Sequence, residues 1–221
     1  MELKIVCYNI HSGKNLFYRP TLDSIIEFLR EQAPDIVSLQ EVHNNSKQGW
    51  QFNQIKEALA MNGDFGGNVK IGDGMYGNAT LTRFPLIQSK NIPLPSQKEQ
   101  RGVLCSTIDI KGRTIEVLNT HLGLGKKERE SQLEHLAMLL DKSSLLHILM
   151  GDFNTVVTIP FPDMMDLGKK AGKESLPTIF PLKKRIDYIY ASSSFHLSSY
   201  EVIPVTHSDH YPITSVIGLS K

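Results

Sequence analysis

The stretch that decides the fold is Leu146-His147-Ile148-Leu149-Met150-Gly151-Asp152-Phe153-Asn154. A short, mainly apolar run that ends at a glycine is typical of a buried strand, and here a carboxylate and an amide follow at once. Apolar runs at 3–8, 36–39 and 115–118 are also followed by polar residues. The other polar clusters are Asn9, Gln40–Glu41, Thr120–His121, Arg185–Asp187 and Ser208–His210. Strands that end in such groups bring them to one edge of a sheet, so the sequence predicts a site there.

The chemistry of these clusters favours a hard divalent cation. Carboxylate and amide oxygens without thiolates suit Mg²⁺ or Mn²⁺ better than zinc, and no His-Glu-x-x-His or paired-cysteine spacing supports a zinc site. Asp152 and Asn154 stand two residues apart, so on an extended chain they point to the same side. Carboxylates, asparagines and histidines together are what hydrolysis of an anionic ester by such an ion requires, since it needs a metal, a base and donors for the developing charge.

Each residue has a role that its chemistry allows. Glu41 can hold the metal ion, and Asp187 can pair with one ring nitrogen of His210 while the other nitrogen faces water or phosphate. His121 and Asn154 can donate hydrogen bonds to phosphate oxygens. Taken singly, an Asp or Asn at a strand end is more often a turn former, so only the whole set indicates catalysis.

Length and composition predict one domain over residues 1–221. The formal net charge of +1 argues against a protein that wraps duplex nucleic acid, although it allows a local basic rim. No apolar stretch approaches the ~18 residues of a membrane span, and a first strand that begins by Leu3 leaves no room for a secretory leader. Cys7 and Cys105 are too few for a disulfide framework and are expected to be buried free thiols in a reducing compartment. We therefore expect a cytoplasmic protein.

Apolar periodicity predicts a mixed α/β fold. Helical spacing occurs at 20–32, 50–61 and 128–140. Strands are predicted between about 79 and 119, with turns at Phe84-Pro85 and Lys111–Arg113, and again near 186–190, 197–205 and 213–217. Because the middle strands lack intervening helices, a doubly wound parallel sheet fits less well than two mixed sheets packed face to face with helices outside.

The segment 155–184 is expected to be irregular, because it has little periodicity and contains four prolines. A connection of this length is either a functional or mobile loop or a disordered insertion. Basic clusters lie at Lys126/Lys127/Arg129, Lys169/Lys170/Lys173 and Lys183/Lys184/Arg185. They are either solvated surface or contacts for a polyanionic substrate or an anionic lipid surface.

Seven stretches carry a resemblance to a known family. They are Tyr8–His11, Asp35–Val42, Gly77–Pro85, Asn119–Leu122, Gly151–Asn154, Arg185–Ile189 and Ser208–Pro212. In this order they resemble the successive motifs of the endonuclease/exonuclease/phosphatase superfamily, and they span nearly the whole chain. The Gly-Asp-Phe-Asn and Ser-Asp-His elements with a distant Gln-Glu are highly specific in combination. The resemblance implies a four-layered α/β sandwich of the DNase I-like type and metal-dependent hydrolysis of phosphoesters.

The resemblance also implies roles for individual residues. The metal-side residues would be Asn9, Glu41 and Asp209, with Glu41 as a direct ligand. The catalytic residues would be His121, Asp152, Asn154, Asp187 and His210. Asn78 and Arg101 would contact the substrate, with Arg101 binding phosphate. His11 departs from the apurinic-site nucleases of the family, which carry an acidic residue at that place, and this weakens both a second carboxylate at the metal and a role in DNA repair.

The first hypothesis is therefore a phosphodiesterase or nuclease that uses one or two Mg²⁺ or Mn²⁺ ions. Its substrate would be a nucleic acid or a phosphorylated small molecule or lipid, and no obligate protein partner is implied. A phosphatase acting on a small or lipid phosphomonoester is the alternative, which the near-neutral charge and compact length allow. A catalytically silent protein that binds phosphorylated ligands is a third hypothesis, although such proteins typically lose a ligand or the base.

Overall fold

Two mixed β-sheets pack face to face with helices on both outer sides in the computed structural model, which describes residues 1–157, 160–180 and 182–219. The strands are β1 (Glu2–Asn9), β2 (Ile36–Asn45), β3 (Gly49–Trp50), β4 (Asn62–Ile71), β5 (Gly74–Thr82), β6 (Leu86–Pro93), β7 (Gly102–Ile110), β8 (Arg113–His121), β9 (Leu146–Asp152), β10 (Met164–Asp166), β11 (Asp187–Ser192), β12 (Phe195–Val202) and β13 (Ile213–Leu219). The helices are α1 (Leu22–Gln32), α2 (Gln51–Leu59), α3 (Lys126–Asp141) and α4 (Leu167–Lys170). Among the described residues, none of these helices has the length and apolar character needed to cross a membrane.

The topology explains why both sheets are mixed. The first sheet has the strand order β12-β13-β1-β2-β5-β4, with β3 beside β2, and the second has the order β10-β11-β9-β8-β7-β6. One parallel pair occurs in each sheet, β1 with β2 and β8 with β9, and these pairs are joined through α1 and α3 respectively. A parallel pair requires such a crossover, whereas the remaining antiparallel neighbours need only turns. The expected α/β sandwich is confirmed.

Alternate residues of the central strands enter different layers. In β1, Leu3, Ile5 and Cys7 contribute to the core between the sheets, whereas Val6 and Tyr8 pack with α1 and α2 on the outer face. In β8 and β9 the outward residues pack against α3 in the same way. Because both faces of these strands are covered, their sequences are nearly continuous apolar runs.

Two features differ from the sequence-based expectation. The edge strand β4 was not predicted, because its sequence contains three glycines and the strand is stabilised by pairing with β5. The segment 155–184 is not wholly irregular, since it contains β10 and α4. Asp166 caps α4 by accepting hydrogen bonds from two backbone N–H groups and forms a buried ion pair with Arg185. Positions 158, 159 and 181 of this segment lie outside the described residues.

Two buried amides connect the sheets. Asn119 of β8 donates from Nδ2 to the carbonyl oxygens of Leu39 (3.1 Å) and Ala79 (2.8 Å), which belong to β2 and β5 of the other sheet. Gln40 of β2 donates from Nε2 to Asn119 Oδ1 (2.7 Å). We call Gln40 and Asn119 the inter-sheet clamp. Both side chains are fully buried, and the oxygen partners of both Nδ2 of Asn119 and Nε2 of Gln40 lie in the opposite sheet.

We predict that Asn119→Ala lowers the free energy of unfolding by about 2–4 kcal/mol, because it leaves buried polar groups of both sheets without a partner. The matched control is Asn62→Ala, which removes an exposed hydrogen bond to the carbonyl oxygen of Phe84 and should change stability by roughly 0.5 kcal/mol or less. Urea unfolding of the two variants measures the difference. Equal losses would show that the clamp adds nothing to stability.

The two thiols should be unreactive in the folded protein. Cys7 is 1% exposed and Cys105 is 8% exposed. Burial raises the pKa of Cys7 well above its usual value and raises the pKa of Cys105 to about 12. Because the thiolate is the reactive form, we expect neither thiol to react with a disulfide reagent at mildly alkaline pH until denaturant is added. Fast labelling of the native protein would contradict the packing of β1 and β7.

Candidate active site

The predicted polar clusters come together at one end of the sandwich, where several strands end or begin. We call this end of the strands the site edge. Strands β1, β8 and β9 end there, and β11 and β13 begin there because they run antiparallel to β9 and β1. His121 of β8, Asp152 of β9 and Asp187 of β11 are opposite one another in register. Asn9 of β1 donates from Nδ2 to Asp152 Oδ2 (3.1 Å), so the edges of the two sheets coincide.

Asp152 lies at the centre of this group. It is 2% exposed, and its Oδ1 accepts a hydrogen bond from the Asn154 backbone N–H (2.9 Å). Its Oδ2 lies 3.5 Å from Nε2 of His121 and 3.6 Å from Nε2 of His210. Burial and the nearby Asp187 carboxylate raise the pKa of Asp152. The structure therefore holds a carboxyl group whose pKa lies closer to neutrality than usual between two imidazoles.

His210 is oriented by Asp187. Its Nδ1 lies 2.9 Å and 3.1 Å from the two carboxylate oxygens of Asp187, so Nδ1 carries a proton, and Nε2 faces the Asp152 carboxylate. Burial alone would lower the pKa of His210, but the Asp187 and Asp152 carboxylates outweigh it and raise the pKa. Thr178 supports the pair, because its hydroxyl oxygen accepts a hydrogen bond from the Asp187 backbone N–H (3.0 Å). Segment 155–184 thus helps to place Asp187.

His121 is held as a neutral ring with its proton on Nε2. Nη1 of Arg101 lies 3.0 Å from Nδ1 of His121. Because a guanidinium can only donate hydrogen bonds, Nδ1 of His121 accepts, and its Nε2 carries the proton. Burial and the adjacent Arg101 charge lower the pKa of His121. A neutral imidazole with its Nε2–H toward Asp152 is a hydrogen-bond donor directed into the site. Arg101 also pairs with Glu99 at 2.8 Å.

Glu41 reaches the site through a β-bulge. Leu39 pairs with Ala79 and Val42 pairs with Gly77, so Gln40 and Glu41 together stand opposite one residue, Asn78. Glu41 adopts a left-handed backbone conformation (φ 59°), which is unusual for a non-glycine residue and is often found at functional sites. Because of the bulge, the Gln40 side chain points between the sheets, where it forms part of the inter-sheet clamp, and the Glu41 side chain points to the site.

Asn9 holds the Glu41 carboxylate by donating from Nδ2 to Glu41 Oε1 (3.0 Å), and Tyr76 lines the same small cleft as Glu41. The orientation of Asn9 follows from its own Oδ1, which accepts from the His11 backbone N–H (3.0 Å). Asn9 therefore presents its nitrogen to Glu41 and Asp152, and in this arrangement it positions carboxylates instead of offering an oxygen ligand.

Asp209 approaches from the segment before β13. Its neighbour Ser208 donates from Oγ to the Asn9 carbonyl oxygen (2.8 Å), which brings Asp209 to the same strand end as Glu41. Asp209 Oδ1 lies 3.7 Å from Nδ1 of His11. His11, which stands where the apurinic-site nucleases carry an acidic residue, therefore faces an acidic side chain in this structure. The Glu41 and Asp209 motifs therefore meet at Asn9.

The remaining sequence-predicted residues also reach the site edge, with their amides engaged. Asn154 donates from Nδ2 to the Leu122 carbonyl oxygen (2.9 Å), so donation to a substrate would require it to exchange that partner. Asn78 donates to the carbonyl oxygens of Gly102 (3.3 Å) and Asn119 (3.4 Å). Asn78 nevertheless lines a small cleft with Glu41, Tyr76, Arg101 and His121.

A wider cleft of about 360 Å³ continues from Arg101 and is lined by Gln97, Lys98, Glu99, Gly123, Leu124, Gly125 and Glu128. A cavity of similar size, about 370 Å³, lies at the opposite edge, where β9 begins and β11 ends. We place the site at the small cleft, because Glu41 and His121 line it, whereas the cavity at the opposite edge includes none of the clustered acids and imidazoles described above.

The site contains an oxygen-rich group suited to a cation. Among the described residues, one ligand atom from each of Asp152, Asp187 and His210 lies within 4.8 Å of the others. Glu41 adjoins this group through Asn9. Asp187 engages the His210 ring, so the groups left for a cation at this edge are the carboxylates of Asp152, Glu41 and Asp209. Carboxylate oxygens without thiolate fit Mg²⁺ or Mn²⁺.

Sequence reasoning missed three supporting residues. Tyr76 has no motif that marks it, and it lies beside Glu41 because β5 pairs with β2. Thr178 lies in the segment that was expected to be irregular. Glu99 immediately precedes the Gln-Arg-Gly stretch that identified Arg101, so proximity to Arg101 was the only signal available for it.

Comparison with known proteins agrees with this geometry. The chain is 31% identical to the uncharacterized protein YbhP of Escherichia coli, over 99% of this chain and 97% of that protein. The structure is similar to D. rerio TDP2 in complex with a single-strand DNA product (TM-score 0.82, 19% identity, 98% of this chain and 99% of that chain). It is also similar to a mannosyl-6-phosphatase of Bacteroides thetaiotaomicron (TM-score 0.77, 21% identity, 99% of this chain and 100% of that chain).

At these identities the two solved structures establish a shared fold. The model of the Endonuclease/Exonuclease/phosphatase family matches residues 6–210, which include every clustered residue described above. The chain therefore belongs to the endonuclease/exonuclease/phosphatase family.

Proposed function

We propose that this chain is a Mg²⁺- or Mn²⁺-dependent phosphodiesterase or nuclease, acting as one domain over residues 1–221. The observation that carries the proposal is the position of Asp152 between the Nε2 atoms of His121 and His210, with Asp187 behind His210. Members of this family are phosphoesterase hydrolases and generally depend on a divalent metal. Attack of water on a phosphoester requires a base for the water and hydrogen-bond donors for the phosphate oxygens. Asp152 is such a base, His121 is a neutral donor, and His210 is a charged donor.

The metal ion would be held by Glu41 and Asp209, with the Asp152 carboxylate next to them. When bound, it would neutralise charge on the phosphate oxygens and the leaving oxygen. Asn9 would keep the Glu41 and Asp152 carboxylates at a fixed separation, because it donates to both of them. This arrangement relieves the repulsion between two carboxylates that would otherwise oppose one another.

Proton transfer would be divided between Asp152 and His210. The raised pKa of Asp152 suits it to accept a proton from the attacking water. His210, whose pKa the two carboxylates raise, would be an imidazolium that donates to a phosphate oxygen. The oxygen of water bonds to phosphorus as its proton passes to Asp152, the bond from phosphorus to the leaving oxygen breaks, and the leaving oxygen takes up one proton in exchange. His121 and Arg101 would bind the phosphate oxygens through N–H groups.

A phosphatase acting on a phosphomonoester is the second candidate. The formal net charge of +1 does not favour long polyanions, and a mannosyl-6-phosphatase shares the fold. The small cleft around Arg101 and His121 suits a single phosphate group as well as one unit of a strand. The two candidates differ in their products, because a nuclease leaves a terminal phosphate on nucleic acid whereas a phosphatase releases inorganic phosphate.

We predict that the purified protein with Mg²⁺ hydrolyses a chromogenic phosphodiester and single-stranded DNA faster than a sugar phosphate or a phosphorylated lipid. Colorimetric release and gel analysis of the DNA ends measure the two activities. Release of inorganic phosphate alone would favour the phosphatase. Metal binding by calorimetry without turnover of any of these substrates would favour the catalytically silent protein instead.

We predict that Glu41→Gln raises the Mn²⁺ dissociation constant by at least about tenfold, because it removes a charged ligand while keeping an oxygen for Asn9. Calorimetric titration measures this without any substrate. Glu116→Gln is the matched control, since Glu116 lies on β8 and faces His147 at 3.3 Å. Unchanged affinity in Glu41→Gln would remove Glu41 from the metal site.

We predict that His210→Ala and Asp187→Asn each lower kcat by ~10²-fold or more with little change in KM, because the two residues act as one donor. The double variant should then lose little beyond the larger single effect. His135→Ala, on the outer helix α3, should retain wild-type rates. Losses that multiply in the double variant would mean that the two residues act separately.

A further inference from the structure

Large apolar side chains are concentrated on the loops of the site edge. These loops follow β1 (10–21), β8 (122–125) and β9 (153–157), or precede β11 (171–180 and 182–186). They carry eight of the twelve large hydrophobic side chains that are exposed among the described residues. The eight are Phe17, Tyr18, Leu124, Val156, Val157, Leu176, Phe180 and Leu182. We call these eight residues the apolar rim.

The apolar rim lies directly beside the site. The Tyr18 ring lies 5.3 Å from the ring of His11, which faces Asp209. Phe180 donates its backbone N–H to the carbonyl oxygen of Asp209 (2.8 Å). Leu124 lines the wider cleft together with Arg101. The apolar rim therefore borders the clustered acids and imidazoles on more than one side.

Basic residues follow the apolar ones in three separate loops. Phe17-Tyr18 is followed by Arg19, Leu124 is followed after one glycine by Lys126-Lys127, and Leu182 is followed by Lys183-Lys184. All of these cations are exposed. The loop at 10–21 contains no acidic residue. An exposed apolar side chain followed by a Lys or Arg suits the interface of an anionic bilayer. The apolar side chain can enter the boundary of the acyl chains, and the cation can stay among the anionic headgroups.

We propose that the apolar rim docks this protein on the surface of an anionic lipid membrane, with the site edge facing the headgroups. Single-stranded nucleic acid is a poorer occupant, because bases stack on aromatic rings and five of the eight rim residues are aliphatic. The docking goes beyond the proposed function and needs no turnover.

Vesicle flotation tests the proposal without an activity measurement. The probes are vesicles of phosphatidylcholine alone and of phosphatidylcholine mixed with phosphatidylserine. We expect the wild-type chain to bind the mixed vesicles more tightly. The Phe17→Ser/Leu124→Ser variant should bind them at least about tenfold more weakly, since two side chains that are each 76% exposed lose their apolar contact. The Lys183→Gln/Lys184→Gln variant should lose most of the preference for phosphatidylserine.

The matched control is Ile87→Ser/Met138→Ser. It changes two exposed apolar side chains (58% and 48%) on β6 and α3, away from the site edge, and should bind vesicles like the wild type. Circular dichroism checks that all variants are folded. Absence of vesicle binding by the wild type, or equal losses in the rim and control variants, would overturn the proposal. So would binding of single-stranded DNA, but not vesicles, that depends on Phe17.

Discussion

The site depends on keeping two β-sheets at one fixed separation. Asp152 belongs to the second sheet, and its partner Asn9 belongs to the first, with 3.1 Å between the donor and the acceptor. A shift of one ångström between the sheets would break this hydrogen bond and leave a buried carboxylate poorly compensated. The inter-sheet clamp of Gln40 and Asn119 opposes such a shift, because Asn119 takes its hydrogen-bond partners Leu39, Ala79 and Gln40 from the opposite sheet.

Backbone strain is concentrated at the same edge. His11, Glu41 and Asn154 all adopt positive φ angles, of 45°, 59° and 49°. Each is held there by hydrogen bonds that its neighbours supply: His11 N–H to the Asn9 side chain, Glu41 to Asn9, and Asn154 N–H to Asp152. Strained residues persist when the surrounding structure determines them, and here the determining bonds are those that orient the acids. The bulge at Glu41 therefore serves the site and the sheet packing together.

Two histidines of one site are given opposite properties by their partners. The Asp187 carboxylate faces Nδ1 of His210 and raises the pKa of that ring against the effect of burial. For His121, burial and the Arg101 guanidinium at Nδ1 both lower the pKa. Both rings then direct Nε2 toward Asp152. A charged donor and a neutral donor on the two sides of one carboxyl group give the site its chemical asymmetry. The apolar rim outside it adds a surface whose chemistry differs from that of the site.

The amino-acid sequence by itself determined the α/β class, the central strands and the residues that end them, because continuous apolar runs and polar strand ends are local patterns. It also identified the family through motifs that stand in a fixed order. Only the tertiary structure decided the edge strand β4, the protonation of His121 and His210, the position of Tyr76 beside Glu41, and the supporting roles of Thr178 and Asn119. These depend on partners from distant segments, such as the 80 positions between Leu39 and Asn119. No local pattern encodes such contacts, since they exist only once the two sheets have packed.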